Sequence, residues 1–498
     1  MSRRTGSPVD LRLTAVATGA WVAAAVLMSM SVRVAVVVAL VALLVGLVAL
    51  MGRRRWVVAL AIGVAAGAAA VGVHVAGLHA GPVARLAPGK AHVDLRLRLV
   101  RDPVAVRSHT GRRLVVVDAT ALAVRRPGAG WQGDRAPIVV LAVDSSWLGL
   151  LPGQQVEAAG RLAPPRPGDV VTAVLVAGDP PRLEGRAPLW QRAAGSVRDT
   201  LRRAVLPLPA DERGLVPGLV IGDVSQMPPT LTNAFRVTGL AHLNAVSGAN
   251  VAIVLGTMMA AVRWAGLGRR ARGLVAAASL LGFVVLVRPS PSVLRAAVMG
   301  AVVLVAGMTG RRSRALPALS AAVLGLVLVD PFLARSPGFA MSVLATTAIV
   351  TVAPVWTARL SRSMPQPAAA ALAVPAAAQL ACTPVIVAVF GQLTPYAVPA
   401  NLLAAPAVAP ATLAGIGCAL AGVGWPGLAG VLAWVAGLPA AWLVLVARAG
   451  AALPGAGLGW PTGARGLALL TTAGLLVLFA VWAVKRRLRR AILGRCPV

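Results

Sequence analysis

Long apolar runs separated by short basic segments dominate the chain and predict membrane-spanning helices. Three apolar runs lie in the first 80 residues, and nine more follow residue 210. Each run is close to the roughly 20 residues that a helix needs to cross a bilayer. After the first, the predicted spans are residues 33–51, 56–79, 239–264, 273–288, 292–309, 316–330, 338–358, 370–391, 397–421, 427–448 and 464–484. The pattern therefore predicts a polytopic α-helical membrane protein of about 12 spans.

Residues 85–186 show a different pattern, in which apolar residues recur at every second position. In the segment HVDLRLRLV, Val93, Leu95, Leu97 and Leu99 share one face and charged residues occupy the other. Such alternation, broken by Pro and Gly, is typical of β-strands. About five short strands in this length fit a small barrel of the OB type. We therefore expect an all-β, OB-like domain inserted after the third span.

Residues 188–208 predict an amphipathic basic helix. Its apolar side carries Leu189, Trp190, Val197, Leu201 and Val205, while arginines such as Arg198 and Arg202 lie on the other faces. A basic amphipathic helix can lie in the membrane interface. A linker helix packed on the barrel explains the same pattern, and the sequence leaves both interpretations open.

Basic clusters between the apolar runs predict the orientation in the membrane. Cytoplasmic loops carry an excess of Lys and Arg, so each cluster is expected on the cytoplasmic side. Pairs of spans between successive clusters then return the chain to that side, which places both termini in the cytoplasm and the β domain outside. The basic clusters are residues 53–55, 268–272, 310–314, 359–362 and 485–490.

These patterns together predict five regions in a multi-pass protein of the cytoplasmic membrane. The predicted regions are three N-terminal helices (1–80), the β domain (85–186), the linker helix (188–208), a transmembrane core (210–484) and a basic cytoplasmic tail (485–498).

Composition supports a membrane protein and adds a charge asymmetry. Hydrophobic residues make up 58% of the 498 residues, above the roughly half that is usual for a soluble domain. Lys and Arg number 48 against 15 Asp and Glu, a net charge of +33. Part of this excess is the orientation signal, and part is compatible with an anionic partner. In the β domain only Trp131 and Trp147 are available for base stacking, so a purely structural barrel fits as well as a nucleic-acid-binding one.

Few residues of the chain could carry enzymatic chemistry. After Asp223 the only carboxylate is Asp330, and the chain has five histidines. No H-E-x-x-H metal motif, no G-x-x-x-x-G-K-[ST] nucleotide-binding loop and no G-x-S-x-G nucleophile motif occurs. We therefore expect no metal site, no cofactor and no enzymatic activity.

The segment LAHLNAVSGANVAIVLG, residues 240–256, places polar residues at membrane depth. His242, Asn244, Ser247, Gly248 and Asn250 interrupt its apolar pattern. Polar side chains in a membrane core face the bundle interior or a water-filled cavity, and irregular backbone is tolerated only there. We predict a helix break that faces a polar cavity. A close helix contact made by small residues, with ordinary hydrogen bonds between helices, is the alternative.

Four further polar positions have open interpretations. Asp223 follows Gly222 and is expected either to cap a helix or to line an entrance. Arg295 lies one turn into its predicted span and either snorkels to the interface or faces a polar path. The presence of Asp330 and Arg335 between two apolar runs has two equal explanations. The residues either serve a function or form a helix stop with a local ion pair.

The segment GLVIGDVSQMPPTLTNAFRVTGLAHLNAVSGANVAIVLG resembles the core motifs of the ComEC family of competence proteins, and the resemblance extends over about residues 210–480. It implies a channel that carries single-stranded DNA across the cytoplasmic membrane during natural transformation. It also implies that the polar segment and Arg295 line the DNA path, and that Gly222, Asp223 and Asp330 form an entrance or structural motif. The implied partners are single-stranded DNA, membrane lipid, and other competence proteins such as a DNA receptor, a separate nuclease and a cytoplasmic translocase; a homo-oligomer is left open.

One feature departs from the family pattern. Many members continue into a metallo-β-lactamase-like domain, whereas this sequence reaches Val498 soon after its last predicted span. A nuclease role is therefore not expected of this chain. Two other functions remain alternatives: a transporter for an anionic or lipid-linked solute, suggested by the proline-rich residues 370–421, and a non-conducting scaffold that recruits partners through its barrel.

Overall fold

The computed structural model describes residues 12–107, 111–166, 169–244, 248–288, 291–308 and 315–493, and most of them are helical. The helices are α1 (Arg12–Leu27), α2 (Val32–Met51), α3 (Arg55–His79), α4 (Pro82–Leu86), α5 (Leu189–Ala204), α6 (Ala210–Ile221), α7 (Pro229–Val237), α8 (Gly248–Trp264), α9 (Arg269–Val287), α10 (Pro291–Met308), α11 (Ala315–Val329), α12 (Pro337–Thr351), α13 (Ala353–Leu360), α14 (Gln366–Phe390), α15 (Ala397–Ala421), α16 (Pro426–Ala452) and α17 (Gly463–Leu493). Three short 3-10 helices are Ser145–Gly149, Ala241–Leu243 and Pro331–Arg335.

The strands are concentrated between the third and fifth helices. They are β1 (His92–Leu99), β2 (Val104–Arg107), β3 (Arg113–Arg125), β4 (Gln132–Ala142), β5 (Gln155–Ala163), β6 (Ala173–Ala177), β7 (Arg182–Leu183), β8 (Gln392–Leu393) and β9 (Leu458–Gly459). The last two form a separate two-stranded sheet.

The chain divides into two compact units. The first consists of Met1–Pro228, Leu243–Phe339 and Ala407–Ala441, and the second of Pro229–His242, Ala340–Pro406 and Trp442–Val498. Most of the polar residues singled out in the sequence lie in the first unit.

The first unit contains a closed barrel of five strands. Its strands follow the order β1-β3-β4-β6-β5, and β5 pairs again with β1 to close the sheet. Neighbouring strands are antiparallel except for β4 and β6, which run parallel. Val93, Leu95, Leu97 and Leu99 all point into the barrel core and are at most 2% exposed. The period of two therefore correctly predicted the buried face of β1.

Small residues allow the N-terminal helices of the same unit to pack closely. A Cβ atom added to Gly19 of α1 would lie 2.6 Å from the Leu60 carbonyl oxygen of α3. Gly63 and Gly67 of α3 face the α1 backbone in the same way, at Val16 and Ala20. Close backbone approach at small residues is the usual basis of helix association in membranes.

Six helices of the described chain are long and apolar enough to cross a membrane: α2, α3, most of α9, α14, α15 and α16. A seventh candidate is the pair α12 and α13, which is bent by 41° at a short break. Five further apolar helices are shorter, at 10–17 residues. The chain is thus a mostly helical membrane protein with a small β region, while the total of twelve spans stays a prediction.

Two details of the helices differ from expectation. In α5, Leu201 is buried but Leu189 and Trp190 are 75% and 54% exposed, so the predicted apolar side is only partly correct. The helix instead packs on α6 and α9. The proline-rich residues 370–421 form the two continuous helices α14 and α15, whose internal prolines do not break them.

Candidate functional site

The polar segment of the first unit is organised by the start of α8. Residues 241–243 form a 3-10 helix and α8 covers Gly248–Trp264, while residues 245–247, at which the helix break is predicted, lie outside the described residues. Asn250, in the first turn of α8, is 2% exposed, and its Nδ2 donates to the Leu219 carbonyl oxygen of α6 at 2.8 Å. A buried amide needs such a partner because an unpaired polar group in an apolar surrounding is costly. This bond holds the first turn of α8 against α6.

Helix α6 ends in a turn that depends on Gly222. Gly222 has a φ of 70°, its N–H donates to the Gly218 oxygen at 3.1 Å, and the Asp223 N–H donates to the Pro217 oxygen at 3.2 Å. The bond from Gly222 to Gly218 is that of the αL C-cap motif, in which the left-handed residue is usually glycine. Gly222 thus ends the helix, and the N–H of Asp223 bonds within the same turn.

The Asp223 side chain is 8% exposed and serves the same turn. Its Oδ1 accepts the Ser225 N–H at 3.1 Å, and its Oδ2 accepts from Nε and Nη2 of Arg202, both at 2.6 Å. Although burial disfavours the charged carboxylate, the Ser225 hydrogen bond and the Arg202 charge together lower the pKa of Asp223. Asp223 therefore links the end of α6 to α5.

Arg198 of α5 is a second, more deeply buried cation, at 6% exposure. Its Nη1 donates to the carbonyl oxygens of Ile221 at 2.9 Å and Leu286 at 3.0 Å, which lie at the C-terminal ends of α6 and α9. The last carbonyls of a helix have no partner within the helix and carry a partial negative charge, so a buried guanidinium suits them. Burial lowers the pKa of Arg198, and the nearby Asp102 carboxylate opposes that shift.

Asp102 connects these helices to the barrel. It lies between β1 and β2, and its Oδ2 is 3.5 Å from Nη2 of Arg198 and 3.0 Å from Nε of Arg288. Arg288 follows α9 with a φ of 73°, a conformation that residues with side chains rarely adopt. One carboxylate of the barrel therefore pairs with two arginines beside helix ends.

Arg295 of α10 is buried, with 5% exposure, so it does not snorkel. Its Nε and Nη1 have no hydrogen-bond partner among the described residues. The Nη2 atom of Arg295 would lie 3.6 Å from a Cβ atom added to Gly248, so the guanidinium is beside the first turn of α8.

The structure describes two other polar residues of this segment, Asn244 and His242. Asn244 belongs to the first unit, and its Oδ1 is buried without a hydrogen-bond partner among the described residues. His242 belongs to the second unit, where it is exposed with its Nδ1 3.2 Å from the Gly239 carbonyl oxygen. Ser247 lies outside the described residues.

Asp330 and Arg335 have separate structural roles. Asp330 begins the 3-10 helix Pro331–Arg335, and its Oδ1 accepts the Phe332 N–H at 3.1 Å, which confirms the predicted helix stop. Arg335 instead donates to the Ala25 oxygen at 2.7 Å and to the Ser29 hydroxyl at 3.0 Å. The predicted ion pair between Asp330 and Arg335 is not among the ion pairs of the described residues.

Sequence reasoning missed the importance of Arg198, which it placed on an outward face of the amphipathic helix. A signal was present, because Arg198 lies three residues before Leu201 and seven before Val205, on the helical stripe that is buried. Asp102 and Arg288 offered no comparable signal, since they pair over 186 residues of sequence.

Two other expectations concern ligands. Trp147 is fully buried in the barrel core, and Trp131 contacts the guanidinium groups of Arg96 and Arg125 at 4.5 and 4.6 Å from its ring centre. Base stacking by Trp147 is therefore excluded. Within the described ranges, no group of three or more His, Cys, Asp or Glu residues could hold a metal ion.

Comparison with known proteins identifies relatives of the helical core. A sequence model of the family described as "Competence protein" matches residues 219–485, which is more than half of the chain and includes Asn250 and Arg295. ComE operon protein 3 of Bacillus subtilis (strain 168) is 27% identical over 213 residues, which are 42% of this chain and 27% of that relative. The chain thus covers about a quarter of the length of this curated relative. No solved structure matches the chain.

Proposed function

Because this chain belongs to the Competence protein family, we propose that it forms the membrane channel through which single-stranded DNA enters the cell during natural transformation. The observation that carries the proposal is the family match over residues 219–485, which contains the polar segment and the buried Arg295. A phosphate backbone needs basic and neutral hydrogen-bonding groups along its path and few carboxylates. Between residues 224 and 498 the chain has one carboxylate, Asp330.

The proposed DNA path is lined by His242, Asn244, Ser247, Gly248, Asn250 and Arg295. For Asn250 and Arg295 the proposal is supported by their burial within apolar helices, where polar groups tend to be functional. For His242 and Ser247 it rests on the sequence motif alone. Gly222, Asp223 and Asp330 are proposed to shape the ends of the helices beside this path.

The proposed topology has twelve spans with both termini in the cytoplasm. It would use the six long apolar helices, the bent pair α12 and α13 and the five shorter apolar helices. The charge excess of the loops supports this orientation. The proposed regions remain those predicted from the sequence: 1–80, 85–186, 188–208, 210–484 and 485–498.

We further propose that the barrel is an OB-type domain on the outer side of the membrane. The closed order β1-β3-β4-β6-β5, with one parallel pair, supports this because OB folds are five-stranded Greek-key barrels. The channel itself is proposed to be non-enzymatic and to work with other competence proteins, including a DNA receptor, a separate nuclease and a cytoplasmic translocase. The solute-transporter alternative loses its support because α14 and α15 are continuous helices.

The test is transformation of a strain that lacks this gene and is complemented with wild type or with the double variant His242→Ala/Asn250→Leu. Surface binding of labelled DNA is measured separately from internalised DNA. We expect the deletion and the double variant to bind DNA at the surface but to internalise none. Normal internalisation in the deletion strain would refute the channel.

Asn250 also holds α8 against α6, so the double variant needs a control for folding. Its amount in the membrane is compared with wild type by immunoblot, and Asn233→Ala serves as the matched variant because Asn233 is an exposed asparagine of α7. Asn233→Ala is expected to transform at the wild-type frequency.

A further inference from the structure

Arg295 is a buried cation for which the described residues offer no anion. Its side chain is 5% exposed, and both Nε and Nη1 lack a hydrogen-bond partner in the described part of the chain. None of the ion pairs between described residues includes it. Arginine keeps its charge inside proteins, so it cannot avoid the cost of burial by losing a proton.

The group that faces Arg295 is the N-terminal turn of α8, which is itself electropositive. The distance of 3.6 Å from Nη2 to a Cβ atom built on Gly248 sets the two groups side by side. The first four N–H groups of a helix have no partner within the helix, and they carry about half a positive charge. A guanidinium and a helix N-terminus repel each other unless an anion lies between them.

We propose that Arg295 and the first turn of α8 form a binding site for a single phosphodiester group of the transported strand. The inference rests on the proposed DNA channel and assigns one contact within it. The guanidinium can donate two parallel hydrogen bonds to one phosphate group, and a helix N-terminus is a common phosphate site. A side chain at Gly248 would crowd the site, since its Cβ atom would lie 3.5 Å from the Ala296 Cβ and 3.6 Å from the Arg295 Nη2.

The surroundings of Arg295 hold this site in a fixed geometry. Asn250 fixes the first turn of α8 through its bond to Leu219. On the other side, Ala296 packs against a cluster of buried residues from α8, α9 and α10: Val251, Leu280, Phe283, Val287 and Val293. A lipid headgroup presents the same phosphodiester chemistry as DNA, and the experiment distinguishes the two sources by the lipid of the nanodiscs.

The experiment measures binding of oligothymidylate to the full chain in nanodiscs of zwitterionic lipid at a series of salt concentrations. Each phosphate contact to a single strand contributes about 0.7 to the slope of log affinity against log salt. We expect Arg295→Gln to reduce the slope by about 0.7 and to weaken binding roughly 10-fold. Oligothymidylate with an uncharged methylphosphonate backbone is expected to bind wild type and variant equally.

Arg263→Gln is the matched control, because Arg263 is an exposed arginine near the C-terminal end of α8, the helix whose first turn faces Arg295. It should leave slope and affinity unchanged. Arg295→Lys keeps the charge but cannot donate two parallel hydrogen bonds to one phosphate. We expect this variant to keep the wild-type salt slope and to bind oligothymidylate more weakly than wild type. If Arg295→Gln does not fold, as judged by size-exclusion chromatography, the lysine variant decides, and binding equal to wild type would overturn the proposal.

Other results would also overturn it. If folded Arg295→Gln has the same salt slope as wild type, Arg295 does not contact a phosphate group of the strand. If phosphatidylglycerol in the nanodiscs abolished the difference between wild type and Arg295→Gln, the site would belong to lipid.

The failure of the phosphate site can be distinguished from the failure of the channel. If the deletion strain takes up DNA normally while the Arg295-dependent slope persists, the channel function fails and the phosphate site stands. If the deletion abolishes uptake but Arg295→Gln binds like wild type, the channel stands and this site fails.

Discussion

Arg198 of α5 and Asp102 of the barrel lie 3.5 Å apart, Nη2 to Oδ2, and the same arginine binds the last carbonyls of two helices. The guanidinium is 6% exposed, and its removal takes a hydrogen bond from the Ile221 and Leu286 carbonyl oxygens and one of two ion pairs from Asp102. One side chain thereby joins the barrel, α6 and α9 within the first unit. The relationship makes the position of the barrel sensitive to a residue outside it.

Replacement of Arg198 should therefore strongly destabilise the first unit. We expect Arg198→Met to lower the free energy of unfolding by about 1–3 kcal/mol, because it leaves two carbonyl oxygens without this donor while Asp102 keeps its ion pair with Arg288. The measurement is the thermal unfolding of the purified full chain in detergent. Arg203→Met is the control, since Arg203 is exposed on the same helix, and its effect should stay within about 0.5 kcal/mol. Equal losses in the two variants would contradict this role.

Substitution of Gly222 by any residue with a side chain should destabilise the protein because of the backbone conformation at this position. At a φ of 70°, alanine places its Cβ close to the following carbonyl oxygen, at a cost of about 1–2 kcal/mol. We expect Gly222→Ala to lower thermal stability by this amount. Gly282→Ala is the matched control, because Gly282 lies within α9 with open space around its Cβ position. That substitution should be neutral or slightly stabilising, and the prediction fails if both glycines tolerate alanine equally.

The Asp223–Arg202 pair should make stability depend on pH in the acidic range. The pKa of Asp223 is lower in the folded chain than in the unfolded chain, so the folded state binds fewer protons. Its stabilising contribution is complete above the unfolded value of about 4 and is lost as the pH falls through the lower folded value. We expect Asp223→Asn to be less stable than wild type at neutral pH and the difference to vanish at strongly acidic pH. Unfolding midpoints of both proteins across pH provide the measurement, and a difference that does not change with pH would exclude this linkage.

Hydropathy and periodicity alone determined the regular elements of this protein. Residues 397–421 were predicted as a span and form α15, and residues 56–79 correspond to α3. The alternation of Val93, Leu95 and Leu97 correctly identified the barrel core. Such predictions succeed because the period of a helix or strand depends only on neighbouring residues. Apolar side chains are also buried away from water wherever they occur in the chain.

The sequence predicted polar site residues only where polar side chains interrupt an apolar run. Within the segment 240–256, Asn250 was expected to face away from lipid, and it is buried and hydrogen-bonded because buried polar groups must find partners. Asn250 could be named in this way, but not its acceptor, the Leu219 oxygen of another helix.

Tertiary structure alone decided which charges meet. Arg198 and Arg288 share Asp102, Arg335 binds the Ala25 oxygen instead of Asp330, and Arg295 faces the first turn of α8. The physical reason is that an ion pair or hydrogen bond requires atoms within about 3–4 Å, and sequence spacing does not fix that distance between separate elements. The sequence thus determined which segments are helix, strand and polar break, while the packing of those segments decided which charged residues find partners and placed Arg295 beside the first turn of α8.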